Sequence, residues 1–134
     1  MAEASNHPIP RVLKLSDTTI QQPEQTANRN RFARIVTRAQ TGSDVMFGAS
    51  WVLPNETTGV TAFRDDVTEN ETAYGYRHEV YYVVRGELDV IWEHGVLHAR
   101  ADEAVYLAPG WSYQLHNPGT EETFFVYAMH PPAE

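Results

Sequence analysis

The 134-residue sequence contains no cysteine, so disulfides and thiolate metal sites are excluded and the redox compartment is left open. It has no long apolar run, and nothing approaches the ~20 residues a membrane helix needs. Positive charge is scarce, with 10 Lys and Arg against 18 Asp and Glu and a formal net charge of -8. An acidic chain without a basic run suits neither phosphate backbones nor anionic membranes, and neither is expected as a partner. The first residues show neither the basic start nor the apolar run of a secretory signal, so a soluble cytoplasmic protein is expected. There is no Gly-rich phosphate loop and no nucleophile elbow. No segment carries a convincing 3.6-residue apolar period, which argues against helices as the main architecture.

What is present is a series of short β-prone runs separated by turn signals. Residues 1–10 hold two prolines and little apolar content and read as an arm, with His7 exposed. Arg11 to Leu15 reads as a short edge strand. The polar stretch 16–30 reads as a loop or a short helical turn after Ser16 or Asp17. Strands are expected at Phe32–Thr37, Val45–Leu53, Gly59–Phe63, Val96–Arg100, Glu103–Leu107, Tyr113–His116 and Thr123–Met129, with an exposed acidic loop from Arg64 to Thr72. The small residues Gly48, Ala49 and Ser50 suggest close backbone approach or room for a ligand. Residues 78–92 stand out: two strands rich in Tyr, Val and Ile, joined by a tight turn at Arg85-Gly86, with Glu79 opening the first. About nine or ten strands at this spacing mean an all-β sandwich or barrel. The domain reading is an N-terminal arm with an edge strand over residues 1–30 and a barrel over residues 31–134.

The order of an acid, an apolar strand, a Gly turn, then Pro-Gly and a short strand ending in Asn resembles the cupin superfamily, over about residues 45–130. Cupins are small jelly-roll barrels of the double-stranded β-helix type, and that fold is what the resemblance implies. Their first motif runs G-x5-H-x-H-x(3 or 4)-E-x6-G, and Glu79 and Gly86 match its last two members. Their second runs G-x5-P-x-G-x2-H-x3-N, and Gly110 and Asn117 match it, with Pro109 one place from the expected proline. The two His positions of the first motif fall near Ala73 and Gly75, or Thr72 and Tyr74. The His of the second falls on Tyr113, and Asp102 and Ala108 hold the Gly and Pro places. Of the usual four metal ligands only Glu79 is kept in kind. The spelling from Tyr76 to Leu88 is similar to the ethanolamine-utilisation cupins and, more loosely, to ectoine synthase.

In the cupin frame Glu79 points into the barrel, where an unpaired carboxylate is costly. It must bind a cation, pair with a base, or hold a proton and act as an acid or base; a salt bridge to Arg77 is the structural alternative. Strict alternation puts His78 on the opposite face, and only a strand bulge would bring it to the pocket. Tyr113 stands where the family places a ligand and could donate a hydrogen bond, act as an acid, stack on a substrate, or simply fill space. His116 faces away from Tyr113 by parity. His94, His98 and His130 read as exposed. Tyr81 shares parity with Glu79. Trp51 and Trp92 lie on long strands and Trp111 follows the Pro-Gly turn, so these three and Tyr81 are the candidate substrate contacts, with core packing as the alternative.

The expectation is therefore a small-molecule-binding cupin, of lyase, isomerase or cyclase type, with Glu79 and Tyr113 as acid–base residues assisted by Arg77 or His78. No cofactor is expected. One alternative is a metal enzyme, oxygenases included, with a reorganised set of Glu79 with His78 or His116; loss of the His set argues against the usual iron dioxygenase role. Another is a non-catalytic binding or accessory protein. The expected partners are a small organic ligand and a second copy of the chain, with dimers formed by pairing or exchange of strands near Val12 and Phe32.

Overall fold

Strands of alternating apolar and polar residues must cover one face each, and among the described residues ten of them do so by forming two facing sheets. The computed structural model describes residues 9–25, 30–68 and 71–133. The arm at 1–8 with His7, residues Asn28 and Arg29, and Glu69 of the acidic loop lie outside the described residues. The strands are β1 (Arg31–Val36), β2 (Met46–Val52), β3 (Val60–Ala62), β4 (Glu71–Ala73), β5 (His78–Arg85), β6 (Glu87–Trp92), β7 (Gly95–Arg100), β8 (Ala104–Leu107), β9 (Ser112–His116) and β10 (Thr123–His130). One sheet has the order β1-β2-β10-β5-β8 and the other β4-β3-β9-β6-β7. This is the jelly-roll barrel expected from the spacing of turns.

Three local expectations change. Residues 11–14 form no strand, and a 3-10 turn at Leu15–Asp17 follows them. A one-turn helix, α1 (Arg38–Thr41), forms where no helix was expected; the Thr37 side chain caps it and Gly42 closes it at φ 74°. The third concerns residues 78–92, which do not form a hairpin. β5 pairs with β10 and β8, whereas β6 pairs with β7 and β9. Gly86, at φ 85°, carries the chain from one sheet to the other. A Cβ at this position would lie 2.6 Å from Thr123 Oγ1. The same hydroxyl accepts from the Glu87 amide at 3.1 Å and donates to the Glu87 carbonyl, clamping the corner.

The two inner faces meet in a core that includes Phe63, Val83, Leu88, Val90, Leu107 and Phe125. Asn117 is fully buried within this frame. Its Nδ2 donates to the carbonyls of Val52 and Glu121, both at 2.9 Å, and its Oδ1 accepts from the Gly119 amide at 2.9 Å. Its side chain thus ties the end of β2 to the turn that leads into β10. Among the described residues, no helix is long and apolar enough to cross a membrane.

Candidate functional site

Alternation along β5 turns Glu79, Tyr81 and Val83 inward and His78, Val80 and Tyr82 outward. Register then fixes what stands beside each inward residue. Tyr81 lies opposite Tyr127 of β10, Tyr127 opposite Gly48 of β2, and Gly48 opposite Arg34 of β1. Glu79 lies one inward row away, opposite Met129, which in turn faces Met46. Gly48 has no side chain to separate its neighbours, and a Cβ there would sit 2.5 Å from the Tyr127 ring. The space left by Gly48 lets Tyr127 lie flat across β2 and accept a hydrogen bond from Arg34. The small-residue signal in β2 marks a close approach of both the Ala33 carbonyl and the Tyr127 ring.

These residues line a cavity of about 50 Å³ between the first sheet and Thr61 and Tyr74. That is room for a few waters or the polar end of a small ligand, since one water needs roughly 10–15 Å³ on this measure. Glu79 is 5% exposed. Burial pushes its carboxyl up to about 8, against a smaller lowering effect from the Tyr81 phenol that donates to it. Tyr81 and Tyr127 are held well above the usual phenol range, each mainly by burial and next by the nearby Glu79. All three groups are neutral at pH 7. Ser50 donates to the Arg31 carbonyl at 2.8 Å and accepts from Asn30 at 3.0 Å, closing one wall with satisfied groups.

Arg34 is the cation of this cavity. Its guanidinium lies 5.4 Å from the centre of the Phe32 ring. Its Nε is buried and has no hydrogen-bond partner among the described residues. It forms no ion pair among them either. Arg34, Tyr127 and Tyr74 were not among the sequence candidates. The one available signal was the two-residue period of β1, which places Phe32 and Arg34 on one face.

The expected residues are distributed as follows. Glu79 and Tyr81 come together as parity required. Tyr113 is buried, but its hydroxyl donates to the Ala108 carbonyl at 2.7 Å. It lines an interior space of about 30 Å³ with Phe63, Leu107 and Leu115, which adjoins the Glu79 cavity through the shared Asn30, Thr61 and Tyr81. Tyr113 does not itself line the Glu79 cavity, and Tyr81 is common to both spaces. His78 is on the outer face, its Nδ1 2.8 Å from the Tyr106 hydroxyl. No bulge interrupts β5 beside it. Arg77 binds the carbonyls of Tyr74, Pro131 and Pro132 rather than Glu79. It fixes Tyr74 at the cavity and ties down the C-terminal segment. Trp51 faces outward and packs 5.2 Å from Phe124. Trp92 and Trp111 meet edge to face at 5.3 Å, with His94 against both. They line a different, open groove of about 540 Å³ on the second sheet, beside the Arg64–Glu71 ion pair. Ser112, Thr68 and Arg64 together hold the Glu71 carboxyl down at about 2.

A metal would need several converging donors. His116, in the second sheet, pairs with Thr57 at 2.8 Å, and His78 points out of the first. Among the described residues no three His, Asp or Glu side chains converge on one point. Around Glu79 stand two neutral phenols and a guanidinium, and a fixed cation opposes a second one. The donor set does not fit a divalent ion.

This barrel, with two five-stranded sheets and a buried Glu at the start of β5, is the cupin fold. Solved structures carry the comparison. The chain is similar to an ethanolamine utilisation protein Q from Salmonella typhimurium, with a TM-score of 0.68 at 20% identity over 90% of this chain and 85% of that one. It is similar to a predicted oxalate decarboxylase from Thermotoga maritima, with a TM-score of 0.71 at 15% identity over 90% and 99%. A cupin 2 conserved barrel domain protein from Salinispora arenicola aligns with a TM-score of 0.63 at 17% identity over 93% and 90%. No family model matches the chain, and no curated protein matches it in sequence.

Proposed function

We propose that this chain is a small-molecule-binding cupin whose interior cavity runs acid–base chemistry of the lyase or isomerase type. The observation that carries the reading is Glu79: a buried carboxyl, facing a cavity, joined to a phenol and paired with no cation among the described residues. A carboxyl raised toward neutrality can both give and take a proton at working pH, which is what proton transfer at carbon or at a leaving oxygen requires. Glu79 is the donor and acceptor. Tyr81 is its hydrogen-bonded partner and takes the place expected for Tyr113. Glu79→Gln in a substrate screen is the test: turnover that survives this change removes Glu79 from the chemistry.

A second reading, a non-catalytic binding protein, is favoured by the small size of the cavity, which fits the polar head of a ligand better than a whole substrate. Saturable ligand binding without any product, in protein that also shows the Glu79 titration, would select it.

The proposed protein partner is a second copy of the chain, seated on the outer face of the first sheet. Phe47, Trp51, Val80, Tyr82, Val84 and Tyr106 lie on this face, and no Asp or Glu stands among its strand positions. On a chain of net charge -8 this face has few carboxylates to repel a second copy; Asp102 accepts from the Tyr82 hydroxyl at 3.1 Å. The exposed Phe47, Val80, Tyr82, Val84 and Tyr106 form an apolar field suited to the core of an interface. Light scattering that returns a monomer mass at micromolar concentration would reject it, and Val80→Glu should convert a dimer to monomer.

A further inference from the structure

The substrate class can be taken one step further, resting on the proposed role of the Glu79 cavity. The polar groups of the cavity at neutral pH are the protonated Glu79, the guanidinium of Arg34 and two phenols whose protons are engaged, Tyr81 with Glu79 and Tyr127 with the Ala33 carbonyl at 3.5 Å. Only Arg34 is charged. It holds its Tyr127 partner through one arm, while Nε is buried with nothing to bind among the described residues. An unmet donor of this kind is expensive inside a protein, and the cost is larger for a charged group. Phe32 covers one side of the guanidinium and keeps it in plane. The missing side chain at Gly48 leaves the Arg34–Tyr127–Tyr81 row unbroken across four strands.

We propose that Arg34 is the anchor for the carboxylate of a small organic acid, bound at its guanidinium, with the carbon next to that carboxylate presented toward Tyr81 and Glu79. A planar guanidinium matches the two oxygens of a carboxylate, which a water or an alcohol cannot reproduce. The pairing leaves Glu79 neutral, because the ligand brings the anion that Arg34 lacks. The order of the row also separates the jobs: Arg34 binds the group that does not react, and Glu79 meets the part that does.

The test uses the full chain and propionate as probe, with propionamide as its uncharged counterpart, at pH 6 where Glu79 is protonated. Thermal unfolding reads the binding, since a ligand that prefers the folded state raises Tm with its concentration. Propionate should raise Tm saturably and propionamide should not. Arg34→Met should weaken propionate roughly tenfold or more, and Arg34→Lys, which keeps the charge and loses the fork, should fall between. Glu79→Gln should still bind propionate. Equal responses to propionate and propionamide, no response to either, or an unchanged response in Arg34→Met would overturn the assignment. Loss of propionate binding in Glu79→Gln would overturn it as well, by making Glu79 the anchor. The proposed role of Glu79 is read independently, from the ligand-free pH titration below, so either idea can fail without the other.

Discussion

Replacing Glu79 by Gln should make the protein more stable at neutral pH and leave it unchanged in acid. An acid raised from an ordinary 4.5 to about 8 by burial is protonated in the folded state over a range where the unfolded chain has already lost its proton. The unfolded state then binds fewer protons, and stability falls as pH rises. The loss begins near the unfolded value, grows by about 1.36 kcal/mol per pH unit, and levels off above the folded value. Across the whole window this amounts to about 5 kcal/mol, and near pH 7 to about 3 kcal/mol. Gln has nearly the same shape and does not titrate. The other carboxylates titrate alike in both proteins, so the difference between the two stability curves isolates Glu79. Urea unfolding at pH 4.5, 6, 7, 8 and 9, roughly one unit apart, measures it. The two curves should meet at the acid end and diverge upward for Glu79→Gln. A difference that stays constant with pH, or one that favours Glu79 as pH rises, would refute the buried, unpaired carboxyl.

Three further outcomes follow from the geometry. Asn117→Ala removes three buried side-chain hydrogen bonds and should cost about 3 kcal/mol in denaturant unfolding, at about one per bond. Gly86→Ala should cost about 3 kcal/mol or more, since a left-handed φ and a collision with Thr123 coincide there. Tyr113→Phe gives up the bond to the Ala108 carbonyl and should lose about 1 kcal/mol of stability; the propionate response should be the same as in the parent protein.

Much of the barrel was legible because a two-residue period and turn residues are local signals. The strands at 31–36, 46–52, 104–107 and 123–130 appear within a residue or two of where alternation put them. Parity alone placed Tyr81 with Glu79 and His78 away from it. Pairing is not local, and that is where the reading failed. Arg85-Gly86-Glu87 looks like a hairpin turn, since nothing in those residues says that β5 and β6 part into different sheets. Arg34 gave no signal of its own, because a lone Arg on a short strand reads as solvated until Gly48 and Tyr127 are known to lie beside it. The Tyr113 position followed from the motif, but its hydroxyl finds Ala108 five residues back, which strand spacing does not reveal.

The strand order of the first sheet has a consequence for the order of events in biosynthesis. β10, near the C-terminal end, lies at the centre of that sheet, between β2 and β5. The row that links Arg34 to Tyr81 passes through Tyr127, so the cavity has no wall until this strand is in place. During translation β2 and β5 must wait with open edges for a partner made nearly eighty residues after β2. Such distant pairing is slow and leaves sticky strands uncovered. Ribosome-stalled chains ending before Thr123 should therefore show no propionate protection and a high demand for chaperones, however much of the second sheet has already formed.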